Sequence, residues 1–249
     1  MPLLLLSGLL AGFIDSIAGG GGLITLPTFS LILGAGPHAI GTNKIAGTVA
    51  ALVALLVYIR GGHMDWRKSL AFAAWVSLGS FIGSRLSPLL PVAAFKYFLF
   101  ITCPIILWVV FRKDFWVARE LAVHEHSTRW TNALSAPLIL AGLGCGFYDG
   151  IWGPGGGTFM FLSLLFIARL PLFPALAAAK LANTVSAGTS LASYAWQGFV
   201  HWREGLILSS AIAVGAFIGA KQASKGGSKT VRVVLVFVVA ILMFRLASQ

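Results

Sequence analysis

Apolar runs fill most of the chain, and polar residues only punctuate them. Ala39 to Ile59 is one such run, broken mainly by Lys44, and Ser69 to Ser84 and Val92 to Phe111 are two more. These runs approach the roughly 20 residues that a helix needs to cross a bilayer. A soluble core would need turns and water-facing segments between them, and most connections here are too short. The pattern predicts an all-α polytopic membrane protein.

The pattern also repeats. Gly8, Gly12, Phe13, Asp15, Ile17, Gly19, Gly21 and Gly22 recur 134 residues later as Gly142, Gly146, Phe147, Asp149, Ile151, Gly153, Gly155 and Gly156. The offset then becomes 136, and Lys44, Thr48, Val49 and Tyr58 match Lys180, Thr184, Val185 and Tyr194. In the same register Gly62, Trp66 and Arg67 match Gly198, Trp202 and Arg203, and Gly79 and Gly83 match Gly215 and Gly219. Low-complexity apolar sequence aligns by accident, but it would not keep Asp, Lys and Trp in step.

Each unit reads as about five helical elements. The first unit, 1–111, holds 2–18, 22–34, 38–60, 69–87 and 92–112. The second, 132–249, holds 133–151, 156–169, 173–197, 204–220 and 230–247. A polar linker, 112–131, joins them and carries His124 and His126. The second element of each unit spans about 20 Å as a helix, too little to cross comfortably. A glycine cluster precedes it and a proline-bearing break follows. A broken or re-entrant helix pair is therefore expected to open each unit, with its backbone satisfied by protein or a cavity.

Composition agrees with this picture. Hydrophobic residues make up 58% of the 249, and charged residues 10%, against about 25% charged in soluble domains. The net charge of +11 would point a soluble protein toward nucleic acid, but here the basic residues sit at the ends of apolar runs. Membrane orientation by positive loops explains them better, and no nucleic-acid partner is expected. If the units are inverted, eleven basic residues share one side and four the other; if parallel, the split is eight to six. The count favours inverted repeats in the cell membrane, with a cytoplasmic linker and external termini. Cys103 and Cys145 lie in apolar runs without metal-ligand spacing, so no metal or cofactor is expected. The apolar N-terminus lacks a basic start, carries Asp15 and enters the repeat, so it reads as part of the fold.

Four ionisable residues fall inside the membrane elements: Asp15, Lys44, Asp149 and Lys180. Charges there are costly, so they face the bundle interior or a watery path. One reading is that each Asp pairs with a Lys and only locks helices. The other is that the lysines attract an anion while Asp15 or Asp149 gates or carries a proton. The glycine clusters Gly19-Gly20-Gly21-Gly22 and Gly153-Pro154-Gly155-Gly156-Gly157 precede helix starts, whose open N–H groups and positive dipole ends suit an anion. Close helix packing through small residues is the alternative. Thr42, Asn43 and Thr48, with Asn183, Thr184 and Ser186, flank the lysines as oxyanion donors or interhelical bonds. Trp66 and Trp202 read as interfacial anchors, and His38, His63 and His201 as solvated residues at element ends.

Gly12-Phe13-Ile14-Asp15 with its glycine run, Thr42-Asn43-Lys44, and the later Lys180 to Thr184 motif resemble the TauE/SafE family of sulfite exporter-like membrane transporters. The resemblance covers nearly the whole chain. It implies movement of sulfite, sulfonates or related organosulfur anions across a bacterial or archaeal cell membrane. Carried over by motif, the substrate site is Gly19, Gly20, Gly21, Gly22, Asn43 and Lys44 with Gly153, Gly155, Gly156, Gly157, Lys180 and Asn183. The second unit departs at Pro154 and at Ala179, which stands opposite Asn43. The expected activity is secondary transport by alternating access, since no ATP-binding motif is present. An anion channel is the alternative. An intramembrane enzyme fits less well, because no nucleophile–base or metal-ligand pattern appears.

Overall fold

The glycine run after the first helix reverses the chain. The computed structural model describes residues 2–61, 64–91 and 135–247. Helix α1 (Pro2–Ala18) leads through Gly19–Gly21 into the short α2 (Gly22–Leu33). Gly21 lies against the Ala11 carbonyl and the Asp15 side chain, so α2 folds back along α1. Gly34, at φ 80°, ends α2, and α3 (Pro37–Ile59) begins with a proline in its first turn, where the missing N–H costs nothing. Asp65 then caps α4 (Trp66–Leu86) by accepting from the Lys68 N–H at 3.2 Å.

The second unit repeats this plan with α5 (Ala136–Ile151), α6 (Gly156–Phe166), α7 (Leu172–Trp196) and α8 (Trp202–Ala247). Tyr148 meets Phe159 with ring centroids 5.1 Å apart, and Cys145 Sγ lies 3.4 Å from Ser163 Oγ, so α5 and α6 form an antiparallel hairpin. All regular structure among the described residues is helical. Pro37–Ile59, Trp66–Leu89 and Trp202–Lys225 are long and apolar enough to cross a membrane. The short second elements appear as expected, with 12 and 11 residues.

One expectation is corrected. The apolar pattern predicts two elements at 204–220 and 230–247, but α8 runs without a break from Trp202 to Ala247. The basic and glycine-bearing segment between them contains no proline, and glycine weakens a helix without ending it. The expected element 92–112 and the linker 112–131 lie outside the described residues, as do His63 and Cys103.

The two units interlock. α1 packs on α8, and α5 on α4. Gly8 faces Leu208 and Ala211, Gly12 faces Ile212 and Ala216, and Phe13 and Ser16 face Gly219, so α1 and α8 run parallel. Gly142, Gly146 and Gly150 face Phe72, Val76 and Ser80 in the same way. A Cβ at Gly146 would sit 1.9 Å from the Val76 carbonyl oxygen. Small residues at this spacing let helix backbones touch where lipid gives no hydrophobic drive. α3 and α7 cross at the centre in opposite directions: Gly41 meets Tyr194, and Gly47 meets Ala187. Exchanging the units leaves this pattern of neighbours unchanged.

Candidate functional site

The two helical hairpins turn back at the same place. Gly19, at φ 79°, lies against Gly157 and Thr158, and Gly22 lies against Pro154. A Cβ at Gly19 would stand 2.5 Å from the Thr158 nitrogen, so both the approach and the left-handed backbone require glycine there. The turns thus bring the starts of α2 and α6 together. Neither start has a side-chain cap. Five first-turn N–H groups bond to carbonyls of the turns themselves (Leu23 to Gly20, Ile24 and Thr25 to Gly21, Gly156 to Gly153, Phe159 to Gly155), so each start contributes chiefly the positive end of its dipole to the space between the turns.

The four buried charges pair between units. Lys44 Nζ of α3 is 3.3 Å from Asp149 Oδ1 of α5, and Lys180 Nζ of α7 is 3.4 Å from Asp15 Oδ2 of α1. Each ammonium also donates to the backbone carbonyl of the same aspartate. All four residues are 3–6% exposed. An isolated buried charge costs several kcal/mol, and pairing with added hydrogen bonds offsets this. An ammonium carries three N–H donors, and these two contacts leave one over.

Each carboxylate has a further donor, and the two differ. The Gly21 N–H donates to Asp15 Oδ1 at 3.0 Å, while Ser186 Oγ donates to Asp149 Oδ2 at 2.6 Å. Tyrosines hold the helix ends beside them. Tyr58 donates to the Ser16 carbonyl at 3.0 Å, and its counterpart Tyr194 donates to the Gly150 carbonyl at 2.9 Å.

Between the turns lies a small cavity of about 30 Å³. Asp15, Gly19, Gly22, Asn43, Lys44, Asp149, Gly153, Gly157 and Asn183 all border it, so most residues singled out in the sequence converge there. Gly20, Gly21, Gly155, Gly156 and Lys180 do not; the glycines build the turns, and Lys180 sits behind Asp15. Gly47 and Ala187 complete the wall and were not foreseen. Gly47 is the repeat counterpart of Asn183, and that match was the available signal. Thr25 was missed as well: it donates to Asn43 Oδ1 and orients that amide. It is the first polar residue after a glycine run, which could have marked it.

None of the three threonines beside the lysines borders the cavity, so nothing supports them as oxyanion donors, whereas the alternative of a bond between elements holds for Thr42. Thr48 and Thr184 donate to the carbonyls of Lys44 and Lys180 one turn back, a bond that satisfies the hydroxyl within its own helix. Thr42 accepts from the His201 N–H at 3.0 Å, near an exposed end of the bundle. His201 Nε2 is 3.2 Å from His38 Nδ1, and both histidines are exposed at element ends, in keeping with the solvated reading. Trp66 and Trp202 begin α4 and α8 and are about half exposed, as anchors would be.

A helical bundle with apolar spans, buried charge pairs and paired broken helices defines a polytopic membrane protein. Comparison with known proteins narrows this. The family model for the sulfite exporter TauE/SafE matches residues 4–246, and the chain belongs to that family. It is 33% identical over 252 residues to the probable membrane transporter protein ORF9 of Sinorhizobium sp, covering 100% of this chain and 93% of that protein. It is 34% identical over 238 residues to a probable membrane transporter protein of Haemophilus influenzae, covering 95% and 90%. It is 31% identical over 244 residues to the probable membrane transporter protein YfcA of Escherichia coli K12, covering 96% and 86%. No solved structure matches the chain.

Proposed function

We propose that this protein is a secondary transporter that moves a small anion, sulfite or an organosulfur oxyanion, by alternating access at the cavity between the two glycine turns. The observation that carries this reading is the convergence of two uncapped helix starts, Lys44 and the amides of Asn43 and Asn183 on one buried space. Helix starts of this kind face anionic groups in transporters with broken helices. The spare N–H of Lys44 and the Asn amide N–H groups are directional donors for an oxyanion. The ion pairs make the site neutral before substrate enters, so binding is favourable without being irreversible.

A volume of about 30 Å³ admits about two waters. An oxyanion of several heavy atoms requires the turns to part. This supports a carrier over an open channel. Two features support inverted units. The equivalent helices α3 and α7 run in opposite directions, as a two-fold axis in the membrane plane requires. Arg60 and Lys221 also border one common cavity at the same end of the bundle, the arrangement that the inverted charge count needs. By the positive-inside rule that end is cytoplasmic, and the linker with it. The start of α1 then lies at the external end, beside the start of α8. Asp15 or Asp149 would carry a coupled proton.

Flux of labelled sulfite in proteoliposomes tests the reading. Saturable uptake with counterflow is expected, and Asn183→Ala should weaken it. Unsaturable conductance would make the protein a channel. Counterflow that is absent for sulfite and every sulfonate tried would remove this substrate class. Asp15→Asn and Asp149→Asn, if both leave pH-driven flux unchanged, dispose of proton coupling.

A further inference from the structure

The second cavity lies where α3 ends. It measures about 440 Å³ and is bordered by Tyr58, Arg60, Phe173, Phe217, Lys221 and Lys225 among others. Its charged lining among the described residues is three cations and no acid. The cations come from both units, Arg60 from the end of α3 and the lysines from successive turns of α8. Tyr58 joins this space to the core, because it borders the cavity while its hydroxyl holds the Ser16 carbonyl next to Asp15.

Charge at a membrane surface can reflect orientation alone, and the repeat separates that part from the rest. Lys221 lies 5.8 Å over the Phe217 ring, and its counterpart Arg85 lies 5.4 Å over Phe81, so one cation seated on a phenylalanine is common to both mouths. Arg60 corresponds to Trp196 and Lys225 to Leu89, so those two cations are present at one mouth alone. Orientation would be served by basic residues scattered around that surface. Here both additional charges border a single recess, which Tyr58, Phe173 and Phe217 also line.

We infer that the Arg60–Lys221–Lys225 recess is a second anion site, a vestibule that holds an oxyanion of sulfur or phosphorus outside the Tyr58 barrier. For the identity of its occupant this rests on the anion-transport reading above. In the orientation proposed there, the vestibule faces the cytoplasm. It concentrates anion on the side from which an exporter loads, through a field focused by low-dielectric walls. Arginine supplies a forked donor, and the lysines act as point charges. The same chemistry would hold the phosphate of an anionic lipid.

Equilibrium binding of labelled sulfite to the full chain in phosphatidylcholine nanodiscs tests this. The R60Q/K225Q variant changes exposed side chains and leaves packing intact. It should weaken a salt-sensitive class of sulfite binding by about thirtyfold, since two nearby charges each contribute on the order of 1 kcal/mol in water and about 1.4 kcal/mol is tenfold. Arg85→Gln at the opposite mouth should leave that class unchanged. The second arm adds phosphatidylglycerol and counts the lipid retained. If sulfite binding is equal in wild type and variant but retained phosphatidylglycerol falls in the variant, the occupant is a lipid headgroup and the anion site stands. If the variant matches wild type with both probes, the vestibule is wrong. Asn183→Ala separates the two proposals. Sulfite binding lost in R60Q/K225Q but untouched in Asn183→Ala, with no flux in wild type, would keep the vestibule and remove the transport reading.

Discussion

Asp15 and Asp149 occupy equivalent places in the two units, face lysines at 3.4 and 3.3 Å, and are nevertheless seated differently. Asp15 takes the backbone N–H of Gly21, within its own hairpin. Asp149 takes the hydroxyl of Ser186, from another helix. The turns explain this. Gly21 is in the right-handed helical region at φ −58°, while its counterpart Gly155 is left-handed at φ 80°. Pro154 stands in the second turn where Gly20 stands in the first. Ser186 corresponds to Ala50, so the second unit has a hydroxyl where the first has a methyl. The charge pairs keep the repeat, and the supports around them do not. One aspartate depends on the shape of its turn, and the other on a neighbouring helix.

The largest effect should come from breaking a pair. Lys44→Met leaves Asp149 buried with its charge uncompensated, and about 3–5 kcal/mol of stability should be lost. Lys180→Met should cost a similar amount through Asp15. Adding Asp149→Leu to Lys44→Met should restore most of the stability, which a double-mutant cycle on unfolding in detergent would measure. Flux then separates two roles. A pair that only locks helices would let the double variant regain transport together with stability. The proposed role predicts that stability returns and transport does not.

Next comes the seat that the second unit owes to a side chain. Ser186→Ala removes a 2.6 Å bond to a buried carboxylate, and such bonds contribute about 1.5–3 kcal/mol. The loss should be confined to the Asp149 side. Combined with Asp149→Leu, Ser186→Ala should add little, whereas combined with Asp15→Leu its cost should persist. Equal costs in both backgrounds would mean that Ser186 acts elsewhere.

The turns themselves can be set against each other. Gly21→Ala would place a Cβ 2.6 Å from the Ala11 carbonyl oxygen and from Asp15 Cβ, and overpacking of this kind costs about 1–3 kcal/mol. It would also push on the carboxylate that Gly21 holds. At Gly155 an added Cβ meets nothing within 4 Å, so Gly155→Ala carries only the left-handed strain of about 1–2 kcal/mol. Gly155→Asn should recover part of that strain, since Asn tolerates this region, and Gly21→Asn should be worse than Gly21→Ala. The same rank order at both positions would show that the two turns are more alike than their dihedral angles indicate.

Much of this was legible in the chain because burying charge is costly and a repeat makes the cost visible twice. Asp15, Lys44, Asp149 and Lys180 stand out from their apolar runs, and their spacing identifies them as two equivalent sets. The partners were not legible. Asp15 and Lys44 belong to one unit, and nothing in their spacing says that each bonds across to the other unit. That outcome follows from α1 packing on α8 and α3 crossing α7, which only the three-dimensional arrangement gives. The threonines misled for a related reason. A hydroxyl in a helix can bond one turn back, as Thr48 and Thr184 do, and sequence does not separate that from a hydroxyl facing a cavity. The break expected near Gly226-Gly227 failed because glycine permits a turn without imposing one.

The smallest effect tests where the symmetry holds best. Tyr58 and Tyr194 are repeat counterparts, each buried, and each donates to the carbonyl of the residue after its aspartate at 3.0 and 2.9 Å. Removing either hydroxyl leaves the ring packed and frees one carbonyl. Tyr58→Phe and Tyr194→Phe should therefore each cost about 1 kcal/mol, with equal shifts in unfolding. Their effects on flux should part, because Tyr58 also borders the basic recess, whereas the opposite mouth has Trp196 and Leu89 in place of Arg60 and Lys225. Loading from the recess side should change in Tyr58→Phe and stay near wild type in Tyr194→Phe. Equal stability with unequal flux would place the functional asymmetry at the mouths. Unequal stability would place it already in the helix ends beside the charge pairs.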